Sequence, residues 1–105
     1  MDDFKKKFLG RFTTLARERI ALGMDVAQSQ DCERALHLAR ELHSLAGEAG
    51  LLGLPELLVT ARTAEEAATK LNASRLPSER EALLSALSEL GSAIEQIATR
   101  DQIST

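Results

Sequence analysis

Apolar residues recur along most of this chain at the three- and four-residue spacing of an amphipathic helix. The pattern is clearest over residues 31–52, where the apolar positions follow at intervals of 3, 4, 3, 4 and 3. We call this line the leucine seam. It predicts one buried face on a helix that ends at Gly53. The seam consists of Ala35, Leu38, Leu42, Leu45, Ala49 and Leu52.

The same periodicity recurs in three further segments and predicts three more helices. These segments are residues 3–27, 54–71 and 78–99. Polar turns at 28–31 and 72–75 separate them. We therefore expect residues 1–105 to form one all-α domain, an antiparallel up-down four-helix bundle. The expected buried positions are Phe8, Phe12, Leu15, Leu22 and Val26 in the first helix, Leu57, Leu58, Ala61, Ala64, Ala68 and Leu71 in the third, and Leu83, Leu87, Leu90, Ile94 and Ile97 in the fourth.

Composition supports this fold class and narrows the function. The apolar residues are mostly Leu and Ala, with an aromatic fraction of 3%, which favours helix over strand. A net charge of −3 argues against nucleic-acid binding. The opening residues include Asp2 and Asp3, which a signal peptide would not have. No apolar stretch reaches the ~18 residues of a membrane span. The single cysteine, Cys32, has no partner for an internal disulfide, which fits a reducing compartment. We expect a cytoplasmic protein with no membrane segment.

One flank of the second helix carries an exposed histidine among small residues. At about 100° per residue, His43 lies roughly 130° from the centre of the leucine seam and should face solvent. Its neighbours on the helix are Ala39, Ala46, Gly47 and Gly50, and we call these four residues the small-residue flank. Glycine in a helix interior costs about 1 kcal/mol relative to alanine. We predict a binding surface for another protein, with close helix packing beside a bystander histidine as the alternative.

The other flank of this helix predicts an ordinary charged surface. His37 lies there beside Glu41, Ser44 and Glu48. His37 and His43 are six residues apart, whereas a helical metal site needs ligands at i and i+4, so we expect no metal site. No P-loop or other glycine-rich nucleotide-binding segment is present, which argues against an ATP-dependent kinase.

The segment HSLAGEAGLLG, which starts at His43, resembles the signature of histidine-containing phosphotransfer (HPt) domains. That signature commonly reads H-x-x-K-G, with a further glycine ten residues after the histidine, and Gly47 and Gly53 match it. Glu65 matches the Glu or Gln that the family carries 22 residues after the histidine. The resemblance covers most of the chain, because the family fold is also a four-helix bundle. It implies that His43 is the phosphoacceptor and that Glu65 orients its imidazole, unless Glu65 is a solvent-facing residue beside Glu66.

The sequence departs from this signature at one position. The family's usual lysine, three residues after the histidine, is Ala46 here. That lysine normally lies near the phosphoryl group and offsets its charge. Arg40, one helical turn before His43, is the first candidate to substitute for it, and Arg62 is the second. Both are otherwise plain surface arginines.

The resemblance implies a phosphoryl carrier rather than an enzyme. An HPt domain accepts a phosphoryl group from the aspartyl-phosphate of a response-regulator receiver domain and passes it to another receiver. It has no cofactor of its own, because the receiver supplies Mg²⁺. The implied partners are receiver domains and a hybrid histidine kinase, and we expect a monomer. The alternative is an interaction module that binds a receiver or kinase through the same flank without carrying phosphate.

Overall fold

The computed structural model describes residues 3–29 and 32–103, and the side chains of 7–29 and 33–99. These ranges contain no strand, and the chain forms an all-α four-helix bundle, as the sequence predicts. The elements are α1 (Asp3–Ser29), a 3₁₀ turn (Cys32–Arg34), α2 (Ala35–Leu51), α3 (Pro55–Ser74) and α4 (Pro77–Ile103).

The helices form a ring in which each one packs against its neighbours in the chain. α2 lies between α1 and α3, and α4 lies between α3 and α1. Very short connections, residues 52–54 and 75–76, join α2 to α3 and α3 to α4. Such short connections require antiparallel neighbours. Within the described ranges, no helix combines the length and hydrophobicity that a membrane span requires.

The leucine seam of α2 lies in the core, as its spacing predicts. Leu38, Leu42 and Leu45 are fully buried, and Leu52, just past the helix end, is half-buried. Burying one such leucine contributes roughly 1.5–3 kcal/mol relative to leaving it exposed. The remaining large side chains of the core that are fully buried are Val26, Leu57, Leu71, Leu83, Leu87, Leu90 and Ile94.

The predicted buried face of α1 was partly wrong. Phe12 and Val26 are buried, but Phe8 and Leu15 are 40% and 37% exposed. The buried line passes instead through small residues, including Gly23, where an added Cβ would lie 2.7 Å from Leu87 Cδ1. The buried face of α1 therefore combines Phe12 and Val26 with small residues, while Phe8 and Leu15 are only partly buried.

The α2–α3 connection ends α2 in the way that Gly53 predicts. Gly53 has a φ of +71°, in the left-handed region that glycine adopts without steric cost. Its N–H donates to the Gly50 carbonyl at 3.2 Å, and the Leu54 N–H donates to the Ala49 carbonyl at 2.9 Å. These two hydrogen bonds form a Schellman motif. Pro55 then begins α3, where its missing N–H is not needed.

Two predicted turns are shorter in the structure. α1 continues through residue 29, and residues 30 and 31 of the first predicted turn lie outside the described residues. The predicted turn at 72–75 is mostly helical, because α3 runs to Ser74. Only Arg75 leaves the helix, with a φ of +57° and its N–H donating to the Leu71 carbonyl at 2.9 Å.

Candidate functional site

His43 is the middle residue of α2, and its side chain is 77% exposed. The helix is held in place by Leu42 and Leu45, both fully buried on the opposite side. The backbone beneath His43 is therefore fixed by the core while the imidazole faces solvent. This is the orientation that the helical spacing predicts.

Glu65 of α3 lies within hydrogen-bond distance of the His43 ring. Oε2 of Glu65 is 3.1 Å from Nδ1 of His43. An ionised carboxylate only accepts hydrogen bonds, so Nδ1–H is the donor in a hydrogen bond between these two groups. In the neutral imidazole that makes this bond, Nε2 carries the lone pair. The reading of Glu65 as a solvent-facing residue is wrong, whereas the adjacent Glu66 is exposed and pairs with Lys70 at 3.1 Å.

Ala39 and Ala46 do not belong to an exposed surface, contrary to the sequence-based prediction. They are only 6% and 3% exposed. The buried arc of α2 is wider than its leucine seam, because α3 covers this side of the helix as well. Close helix packing is thus the right interpretation of these two alanines. Small side chains between two helices permit the short interaxial distance that lets Glu65 reach His43.

Gly47 and Gly50 have a different environment. Both are exposed, and a Cβ added at either one would meet nothing within 4 Å. Neither has the positive φ that would favour glycine over other residues. Helix packing therefore gives no reason for glycine here, unlike at Gly23. We call His43, Gly47 and Gly50 the open strip.

Exposed apolar side chains lie on the same two helices. Leu36 and Leu51, about two turns before and after His43 on α2, are 41% and 86% exposed, and Val59 of α3 is 63% exposed. Exposed apolar side chains mark a protein interaction site where they form a contiguous patch. The apolar spacing of the sequence predicts none of these three as a site residue. Their signal was present, since each lies off the apolar seam of its own helix.

Two arginines flank the histidine. Arg40 lies one turn before His43 on α2, and Arg62 lies one turn before Glu65 on α3. Both side chains are exposed. Neither forms an ion pair with any residue that the structure describes. Two arginines without an ion pair thus lie on the side of α2 and α3 that also carries His43 and the carboxylate of Glu65.

The opposite flank of α2 is a helix contact rather than the ordinary surface that its sequence predicts. Arg19 of α1, whose side chain is 15% exposed, donates to Glu48 at 2.6 Å and pairs with Glu41 at 3.4 Å. Burial opposes the charge of Arg19, but its hydrogen bond to Glu48 and both nearby carboxylates raise its pKa overall. His37 is 62% exposed, with Nε2 3.8 Å from Glu41. Across the described residues, no three His, Cys, Asp or Glu side chains are grouped to hold a metal ion.

A surface groove of about 790 Å³ lies between α1 and α4, away from His43. Arg17 and Glu95 lie along it and form two hydrogen bonds of 2.8 Å. The hydrogen bond from Arg17 lowers the pKa of Glu95. None of the residues that line this groove belongs to α2 or α3, so it is separate from the open strip.

No family model, no curated protein and no solved structure matches this chain significantly. The described residues form a four-helix bundle with an exposed histidine, His43, whose Nδ1 lies 3.1 Å from the carboxylate of Glu65.

Proposed function

We propose that this chain is a histidine phosphotransfer protein that carries a phosphoryl group on His43 between receiver domains. One observation carries the proposal. The imidazole is exposed in the middle of α2, and Oε2 of Glu65 lies 3.1 Å from its Nδ1, an arrangement that leaves Nε2 to attack. A histidine that served only packing would have neither the exposure nor the oriented nucleophile.

Phosphoryl transfer to His43 requires few other groups from this protein. Nε2 attacks the phosphorus of an aspartyl-phosphate, a P–N bond forms, the P–O bond to the aspartate breaks, and the aspartate leaves as a carboxylate. Glu65 stabilises the positive charge that develops on the imidazole. Phosphoryl transfer depends mainly on positioning and electrostatics, and the receiver brings its own acidic residues and Mg²⁺. No cofactor of this chain is required.

The open strip supports the approach of a partner. Gly47 and Gly50 leave the backbone exposed beside the nucleophile. No other part of the bundle lies within 4 Å of where a Cβ would be at either position. A receiver can therefore bring its aspartate in line with Nε2 without meeting a side chain. Leu36, Leu51 and Val59 offer apolar contact around the strip, with Arg40 matching the acidic active site of a receiver. We propose that this exchange takes place in the cytoplasm.

The test of the proposal is phosphoryl transfer from a panel of phosphorylated receiver domains from the same organism. We expect the protein to gain one acid-labile phosphoryl group from its donor, measured by intact mass at neutral pH. Binding to a receiver without any gain would contradict the proposal and favour the interaction module that carries no phosphate.

Gly47→Ala is expected to improve the fold and impair the function. The added methyl group meets open space, so the free energy of unfolding should rise by up to about 1 kcal/mol. In the complex, the same methyl group would clash with the surface of the receiver. The affinity for the receiver should therefore fall about tenfold. Urea unfolding and calorimetric titration measure the two effects.

Gly10→Ala is the matched control for that substitution. Gly10 is also an exposed helical glycine with open space around it, but it lies on α1. The Gly10→Ala variant should gain stability in the same way, and it should bind receivers as the wild type does. Equal receiver binding by both variants would remove Gly47 from the docking surface.

Glu65→Ala is expected to slow phosphoryl transfer by about 10- to 100-fold while leaving receiver affinity nearly unchanged. Without the carboxylate, the ring rotates and its tautomer is no longer fixed, so the nucleophile loses its alignment. Rapid-quench transfer kinetics give the rate, and calorimetry gives the affinity. Glu66→Ala, which removes a neighbouring exposed carboxylate, is the control. Wild-type kinetics in Glu65→Ala would exclude Glu65 from the mechanism.

A further inference from the structure

A phosphoryl group on His43 would add negative charge to the open strip. A protein-bound phosphate carries about −1.5 to −2 charges near pH 7. The carboxylate of Glu65 lies on the other side of the same ring. In the next turn of α2, residues 46 to 48 are Ala, Gly and Glu, so α2 offers no cation there.

The antiparallel packing of α2 and α3 supplies a cation from the other helix. The contact of His43 with Glu65 fixes how the two antiparallel helices are aligned. The residue three positions after His43 on α2 is therefore level with the residue three positions before Glu65 on α3. Arg62 is therefore level with Ala46, about 4.5 Å along the axis from His43. Arg62 also projects from the flank of α3 that carries Glu65, since three residues separate them.

We propose that Arg62 is a phosphoryl-binding residue that contacts the group on Nε2 of His43, an inference that rests on the proposed function. Arg62 is exposed and forms no ion pair with the described residues, so no contact must break for it to turn toward His43. Ala46 is buried, and Gly47 has no side chain, so the path over α2 is open. A guanidinium group matches phosphate oxygens with two parallel hydrogen bonds.

Arg62 and Arg40 have different positions relative to the reacting nitrogen. Arg40 lies toward the N-terminus of α2 from His43, and Arg62 lies toward its C-terminus on the facing helix. The phosphoryl group would thus be held from the C-terminal side by Arg62. This gives Gly47 a second role, because a long side chain at that position would block the guanidinium group.

Small-molecule phosphorylation tests Arg62 without any receiver. Phosphoramidate donates directly: Nε2 attacks phosphorus, the P–N bond of the donor breaks, and ammonia leaves. The phosphorylated protein is then titrated by ³¹P NMR to find the pH midpoint of the phosphoryl group. A nearby cation favours the dianion, so we expect Arg62→Gln to raise that midpoint by about 1 unit. Arg62→Lys should recover part of the shift.

Arg11→Gln is the matched control, because Arg11 is also exposed but lies on α1. Its midpoint should equal that of the wild type. An unchanged midpoint in Arg62→Gln, or an equal shift in both variants, would overturn the role of Arg62 and leave the proposed function standing. A wild-type protein that phosphoramidate does not label on His43 would overturn both.

Discussion

Replacing His43 by alanine is expected to abolish phosphoryl uptake from a phosphorylated receiver and leave the protein at its unmodified mass. The substitution removes the nucleophile, and no other described side chain on the open strip can replace it. The fold should be retained, because the imidazole is 77% exposed and alanine suits the middle of a helix. Intact-mass measurement at neutral pH detects the modified and unmodified forms.

His37→Ala is the control for that experiment. His37 lies on the same helix with a comparable exposure of 62%, but on the flank that faces α1. Its ring nitrogen is 3.8 Å from Glu41, too far for a hydrogen bond that would orient it. This variant should accept phosphate as the wild type does. A phosphoryl group mapped to His37 would contradict the assignment of His43.

Leu42→Ala is expected to lower the free energy of unfolding by about 2–5 kcal/mol. Leu42 is fully buried next to His43 in the chain, and its removal leaves a cavity beneath the site. This is a large share of the ~5–15 kcal/mol that stabilises a typical domain. Urea unfolding followed by circular dichroism measures the loss.

Leu36→Ala makes the same chemical change on the surface of the same helix. Leu36 is 41% exposed, so its substitution should alter the free energy of unfolding by less than about 0.5 kcal/mol. Receiver affinity should fall instead, because Leu36 belongs to the apolar surface around the open strip. A large loss of stability in Leu36→Ala, or wild-type stability in Leu42→Ala, would contradict the packing described for α2.

The bundle could be predicted from the sequence because the signals for each helix lie within that helix's own segment of the chain. The spacing of Leu38, Leu42 and Leu45 marks a buried face without reference to any other helix. Gly53 marks the end of that helix for an equally local reason, its positive φ. Prediction was weaker for α1, where Phe8 and Leu15 have helical spacing but are only partly buried.

The site was predicted less completely, because its boundaries depend on neighbouring helices. A helical wheel treated Ala39, Ala46, Gly47 and Gly50 as one flank, yet the two alanines are buried and the two glycines are open. A helix in a bundle has neighbours on two sides, so its buried arc extends past its most apolar residues. The same effect turned the charged flank around Glu48 into an ion-paired contact with α1.

The sequence by itself determined four amphipathic helices, their approximate ends and an exposed His43, since each follows from a period of 3.6 residues and a few capping positions. The tertiary structure alone decided which neighbours His43 has. Glu65 meets Nδ1, and Arg62 comes level with Ala46, only because α2 and α3 pack in one particular register. That register depends on how small side chains of two helices interlock, which is a property of the pair and not of either sequence segment.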